Sequence, residues 1–193
     1  TPEGVPVDER TLFNMGSVSK TFCATAVMML VDEGKVELDS PVVRYLPEFE
    51  TADPRYEEIT VRMLLNHSSG LPGTQHANNF GYGFNESVYE GTLAVLSRSH
   101  LKAAPGETAP YCNDGWTLAE MIVAEVGGRD YIDFINEEII APLGLTRTGA
   151  SIGQRGDGNA SVCYRTETGG RLPAETVSLL AAGGLSSTAV DLV

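Results

Sequence analysis

Cysteine is scarce in this chain. Cys23, Cys112 and Cys163 are the only three, and no Cys-x-x-Cys pair occurs. An odd, sparse set argues against the disulfide framework that staples small secreted domains. Histidine is equally thin: His67, His76 and His100 are scattered, with no His-x-x-x-His spacing, so no metal site and no cofactor are expected. Asp157-Gly-Asn159 lacks the further acids that a calcium loop requires. The longest largely apolar stretch, Ala24 to Val31, is far too short to cross a bilayer. Positive charge is in deficit, with 13 Lys and Arg against 26 Asp and Glu and a net charge of −13. Such a surface repels phosphate backbones, which excludes nucleic acid as a partner class. No secretory leader is visible, an absence of little weight in a chain that need not start at the natural N-terminus.

What is present is an ordinary globular composition, 42% apolar and 20% charged, enough for a packed core. Thr1 to Arg10 reads as an extended lead-in. A helix is expected over Ser17–Glu33, closed by Gly34, with Phe22, Ala26, Met29 and Leu30 on one face. Ser40-Pro-Val-Val-Arg-Tyr reads as one helical turn with Pro41 at its first position. Thr60 should cap a short helix over Val61–Asn66. Residues 71–86, rich in Gly, Asn and aromatics, read as a binding loop. Ser87-x-x-Glu90 and Thr117-x-x-Glu120 are both capping-box patterns, for helices running to Ser97 and to Gly127-Gly128. Another helix should start at Asp130 and run through Ile140, before Pro142. One or two weak strands are expected within 151–173. Ser187-Thr-Ala-Val-Asp191 has the form of a helix N-terminus, about one turn before the last residue. A domain seldom ends by starting a helix, and strand content is thin for an α+β chain. Residues 1–193 are therefore expected to be part of a larger domain.

The candidate chemistry starts at Met15-Gly-Ser-Val-Ser-Lys-Thr-Phe22. A serine hydroxyl is a poor nucleophile until a neighbouring group takes its proton. A lysine serves if burial or positive charge lowers its pKa. On a helix, residues three apart share a face, so Ser17 and Lys20 can meet, while Ser19 points elsewhere. The helix N-terminus also favours a developing oxyanion. Ser99-His-Leu-Lys102 has the same spacing but falls at a helix end, where the dipole opposes an oxyanion, and reads as a solvated terminus. The bland reading of Ser17 is an N-cap hydroxyl beside an exposed lysine.

A second signal is Tyr111-Cys-Asn113. In an extended segment Tyr111 and Asn113 point to one side. A phenol relays protons and an amide holds a substrate carbonyl, whereas the bland reading is an Asn-Asp-Gly turn. Cys112 has no histidine near it in sequence and reads as a small filler. His67 reads as a hydrogen-bonded structural histidine. A nucleophile elbow is not expected.

Taken together and in order, TLFNMGSVSKTF, VMMLVDEGKVELDSPVVRYLPEF, ITVRMLLNHSSGLP, APGETAPYCNDGW, IIAPLGLTRT and AAGGLSSTAVDL resemble the penicillin-recognising serine hydrolases. The branch is the one holding class C β-lactamases, D-alanyl-D-alanine carboxypeptidases, D-aminopeptidases and related esterases. The resemblance implies an α+β, β-lactamase/transpeptidase-like fold, of which this chain covers mainly the helical region, with sheet strands missing at both ends. It implies that Ser17 is the acylated nucleophile, Lys20 its lysine partner, Tyr111 a base or proton relay, and Asn113 the substrate-binding amide. Cys112 stands where Ser or Ala is more usual, a change of packing rather than chemistry. HSSGLP and AAGGLSSTA are given no catalytic role. The family's third motif, a Lys- or His-x-Gly triplet on a later strand, does not fall within this chain. Residues 1–193 alone are thus expected to hydrolyse nothing unless complemented by the rest of the domain. The partner implied is a small-molecule or peptide substrate, and the location extracytoplasmic.

Two functions compete on these residues. One is a serine hydrolase acting on amide, lactam or ester carbonyls through an acyl-enzyme. The other is a non-catalytic relative that binds a peptide or glycan ligand. The complete set of four site residues favours the first.

Overall fold

The computed structural model describes residues 6–74, 80–81, 83–155 and 158–193. Three of the expectations above fall outside them in whole or part: the first five residues of the lead-in, His76 with the rest of 75–79 and residue 82 of its loop, and Asp157.

After strand β1 (Phe13–Asn14), one 3-10 turn, Gly16–Val18, leads into helix α1 (Ser19–Asp32). The α-helix proper therefore starts two residues later than the pattern predicts. Gly16 causes this: its φ of 54° is a left-handed conformation that a side chain disfavours, and it folds the chain tightly before α1 begins. Gly34, at φ 72°, closes α1 as expected. Pro41 precedes the turn Val42–Arg44 as its cap instead of occupying its first position. Thr60 caps helix α2 (Val61–Leu65) through Met63 N–H.

Strand β2 (Phe80–Gly81) interrupts what reads as loop. Helix α3 (Val88–Leu96) follows. The Ser87 hydroxyl makes no cap bond; Asn85 Oδ1 takes the Ser87 N–H instead, at 3.1 Å.

Helix α4 (Asp114–Gly127) is the centre of the molecule. Every residue from Asp114 to Val123 is buried, as in a helix covered on all sides. Helices α1, α2 and α3, helix α5 (Tyr131–Ile135) and the turn Leu180–Gly184 all pack on it. Phe22, Cys23, Ala26, Val27 and Leu30 of α1 join Leu118, Ala119, Ile122 and Val123 of α4 in the core. Each large apolar side chain so buried contributes about 1.5–3 kcal/mol.

The capping box expected at Thr117 is overturned. Asn113 stands at the N-cap position of α4 without a side-chain cap bond, four residues earlier than the expected cap. Glu120 does not reach back along the surface; it turns inward, 1% exposed. Its carboxyl accepts from Tyr89 Oη at 3.0 Å and from Ala181 N–H at 2.6 Å. Burial outweighs both bonds and raises its pKa from an ordinary 4.5 to about 7. A raised carboxyl stabilises the fold only while protonated, so its contribution is lost as pH rises from about 4.5 through about 7. Glu120→Gln keeps the shape without the charge. It is expected to raise stability at pH 8 by up to about 3 kcal/mol, a gain that vanishes towards pH 4; urea denaturation at the two pH values measures it.

Gly128, at φ 70°, ends α4 as predicted, and Asp130 starts the next helical segment. Here α5 passes into a wide π-type turn over Asn136–Ile140, ahead of Pro142. No strand lies in 151–173 among the described residues. That stretch holds a short helix, α6 (Ile152–Arg155), and isolated bridges Leu12–Ala160 and Tyr164–Arg171. Strand β3 (Thr176–Val177) pairs antiparallel with β2, and strand β4 (Ser186–Ser187) with β1. Ser187 is thus a strand residue. The helical turn Val190–Leu192 that follows has Ala189 at its N-cap position, and Thr188 Oγ1 just ahead of it accepts from Asp191 N–H at 3.3 Å.

The HSSGLP segment braces the loop that reaches Tyr111. Gly106 N–H donates to Ser68 O at 2.7 Å and Lys102 N–H to Gly70 O at 2.8 Å. Gly70 has φ 75°, and a Cβ there would lie 2.4 Å from Ala103 O. Gly70→Ala is expected to cost about 2–4 kcal/mol through left-handed strain plus overpacking, read as a lowered urea midpoint.

Candidate active site

Ser17 lies in the 3-10 turn and Lys20 in the first turn of α1, and three residues of helical separation put them on one face. Lys20 Nζ donates to Ser17 Oγ at 3.2 Å and to Ala182 O at 2.5 Å. Lys20 is 7% exposed, so the bland alternative of a solvated lysine does not hold. Ser17 remains exposed, at the positive end of α1. Ser19 is buried, and its Oγ accepts from Leu185 N–H at 3.1 Å; it fastens the backbone and does not face Lys20.

Tyr111 arrives from 94 residues away, its Oη 2.5 Å from Ser17 Oγ. Its ring stacks on His67, with centroids 4.5 Å apart and planes inclined by 28°. Lys20 Nζ lies 4.9 Å from the Tyr111 ring centroid. Burial raises the Tyr111 phenol. Hydrogen bonding to Lys20 and Ser17, together with the Lys20 charge, outweighs it and leaves the pKa below its ordinary value of 10. His67, at φ 66°, donates from Nδ1 to Cys112 O at 3.2 Å and accepts at Nε2 from Trp116 Nε1–H at 3.4 Å. Burial and the nearby Lys20 lower its pKa, against the opposing bond to Cys112. The structural histidine expected here is present, with the added task of supporting the Tyr111 ring.

Tyr111 and Cys112 face opposite ways, as alternation predicts, whereas Asn113 has helical and not extended backbone. Tyr111 is exposed and Cys112 buried, its Sγ–H directed at Gly73 O at 3.3 Å. Burial is the largest of the influences that raise the Cys112 thiol, which makes it a filler and not a nucleophile. Asn113 Nδ2 donates to Thr74 Oγ1 at 3.0 Å. Asn113 Oδ1 is buried and has no hydrogen-bond partner among the described residues. Ser17, Lys20 and Tyr111 thus form one bonded cluster; Asn113 follows Tyr111 in the chain but bonds to none of the three.

The decoys separate by environment. Ser99 Oγ donates back to Val95 O at 2.8 Å, as befits a helix end. A pattern that sequence reasoning passed over, Gly149-Ala-Ser-Ile-Gly153, has the spacing of a nucleophile elbow. Ser151 is wholly buried, donates to Glu175 O at 3.2 Å and accepts from Val177 N–H at 3.2 Å, so its hydroxyl is structural. Sequence reasoning also missed the Ala182 carbonyl. A backbone acceptor leaves no side-chain signature; the only hint was the turn-forming Gly183-Gly184 beside it.

A serine hydroxyl between a lysine amine and a phenol of lowered pKa can be deprotonated and can attack a carbonyl. The family model described as Beta-lactamase matches residues 1–193. The chain belongs to the β-lactamase family. Its relatives in this family of serine hydrolases include penicillin-binding protein 4* of Bacillus subtilis, 32% identical over 74% of this chain and 31% of that protein. Among solved structures, the octameric penicillin-binding protein homologue of Pyrococcus abyssi is 31% identical, with a TM-score of 0.82 over 99% of this chain and 45% of its own. A D-stereospecific amidohydrolase from Streptomyces is 27% identical, with a TM-score of 0.80 over 95% of this chain and 59% of its own. The fold is accordingly β-lactamase/transpeptidase-like, mostly helical with few strands. This β-lactamase family chain spans about half the length, 53%, of the curated relatives it matches over nearly its whole extent. No helix among the described residues is long and apolar enough to cross a membrane.

Proposed function

We propose that the protein is an acyl-transferring serine hydrolase in which Ser17 is the nucleophile. The observation that carries this is Ser17 Oγ held between Lys20 Nζ and Tyr111 Oη, at 3.2 and 2.5 Å. Tyr111, as phenolate favoured by the Lys20 charge, takes the Ser17 proton as Oγ bonds to the substrate carbonyl carbon. It then gives that proton to the leaving nitrogen or oxygen. An acyl-enzyme remains on Ser17. Water, losing a proton to Tyr111, displaces the acyl group, and the proton returns to Ser17. Asn113, two residues after Tyr111, is the residue assigned to orient the substrate amide. The positive end of α1 faces the developing oxyanion.

The substrate class is an amide, lactam or ester carbonyl, with amides of D-amino acids or D-terminated peptides foremost. The support is the D-stereospecific amidohydrolase, the D-amino acid amidase of Ochrobactrum anthropi and the penicillin-binding relatives. The penicillin-binding relatives support an extracytoplasmic site of action. Intact-mass measurement of the full-length protein after a fluorophosphonate or β-lactam, with peptide mapping, is expected to place the adduct on Ser17. A panel of nitrocefin, a D-Ala-D-Ala peptide, a D-amino-acid amide and a short-chain ester then ranks the substrates. Absence of any adduct and any turnover would leave ligand binding without catalysis as the function.

A further inference from the structure

A fully buried carboxylate in the central helix of a fold is costly unless every oxygen is used. Glu120 uses both, towards Tyr89 Oη and Ala181 N–H. The second bond matters for the site. Ala181 lies in the turn Leu180–Gly184, and the next residue presents its carbonyl to Lys20 Nζ. That turn ends in two glycines, which leave its backbone soft. Its far end is fastened by Leu185 N–H on Ser19 Oγ and by Met15 N–H on Leu185 O, at 3.1 and 2.8 Å. Its near end is fastened to α4 by Glu120.

We infer that Glu120 is a positioning residue for the reaction. It clamps the Ala181 amide from inside the core, so that the Ala182 carbonyl holds Lys20 against Ser17. The chain of contacts runs Tyr89, Glu120, Ala181–Ala182, Lys20, Ser17. Nothing in α4 but Glu120 makes a hydrogen bond to this turn among the described residues. The inference rests on the acyl-transfer reading of Ser17. It adds a requirement for reach: the side chain must present an acceptor at the length of Glu, whether or not it carries charge.

The test uses the full-length protein and a fluorophosphonate, reading three quantities: the labelling rate constant at saturating probe, the probe concentration for half-maximal rate, and the final labelled fraction. Glu120→Gln still presents a carbonyl to Ala181 N–H and an amide to Tyr89 Oη. It is expected to label within about threefold of the unaltered rate. Glu120→Met fills the space without an acceptor, and Glu120→Asp keeps the charge but falls short. Both are expected to slow the saturating rate about tenfold or more, the cost of a reacting group displaced by a fraction of an ångström. The half-maximal concentration should stay within about twofold, because probe binding does not involve the turn. A purely structural role would lower the labelled fraction or the melting temperature and leave the rate of the folded protein unchanged. If Glu120→Met does not fold, Glu120→Asp decides. Unaltered rates in folded Glu120→Met or Glu120→Asp overturn the inference alone. An unaltered protein that never labels overturns the acyl-transfer reading beneath it.

Discussion

Ser17→Ala in the full-length protein is expected to abolish covalent capture of a fluorophosphonate and to cut turnover of its best substrate by about 10⁴- to 10⁶-fold. Ser17 Oγ is bonded to both Lys20 Nζ and Tyr111 Oη. Without it there is no atom to carry the acyl group, and a residual rate would come only from binding and electrostatics. Ser17 is exposed, so the variant should fold with stability within about 0.5 kcal/mol of the parent. Ser99→Ala is the control, since it has the same Ser-x-x-Lys spacing but a hydroxyl committed to Val95 O. It should label at the parent rate. A Ser17→Ala protein that still forms the adduct would move the nucleophile elsewhere.

Tyr111→Phe is expected to slow acylation by about 10²- to 10⁴-fold, the usual worth of a positioned general base. The ring keeps its stack on His67, so the loss isolates the oxygen. The pH dependence carries the second half of the prediction. The Tyr111 pKa is held below 10, with hydrogen bonds and the Lys20 charge overcoming burial. The phenolate is the form that accepts the Ser17 proton. Labelling of the parent should therefore rise with pH and level off below the range of a free phenol, and Tyr111→Phe should remove that rise. A Tyr111→Phe protein with the parent rate and pH profile would assign proton removal to Lys20 alone.

Part of the candidate site is legible in the sequence. Ser17 and Lys20 are local: three residues of separation bring them together in either an α-helix or a 3-10 turn, so the two-residue error in where α1 starts did not matter. Cys112 turns inward and Tyr111 outward as alternation demands, but Asn113 already has the helical backbone of the α4 cap. The helix ends at Gly34 and Gly128 were legible because left-handed backbone favours glycine. Thr117-x-x-Glu120 shows where the pattern failed. A capping box and a buried carboxylate facing a distant amide have the same local sequence. What separates them is whether the helix face meets solvent or protein. The strands expected in 151–173 failed in a related way: loose alternation over a Gly-rich stretch carried no partner information, and the pairing segments lay at 176–177 and 186–187.

The chain's family, through its resemblance over six ordered segments, and its nucleophile candidate were legible from short stretches of sequence. These depend on residue type and on separations of a few positions, which backbone geometry translates directly into proximity. Three features did not follow. One is that Lys20 is held from behind by Ala182, 162 residues away. Another is that the Tyr111 ring rests on His67. The third is that Ser151, in a more familiar serine motif than Ser17, is sealed in the interior. Each depends on which surfaces become buried against which, and two of them turn on a backbone carbonyl or a ring face, neither of which has a local sequence pattern of its own. Packing across long separations is set by the whole chain at once, and it is packing that makes one serine of several reachable, bonded and exposed together.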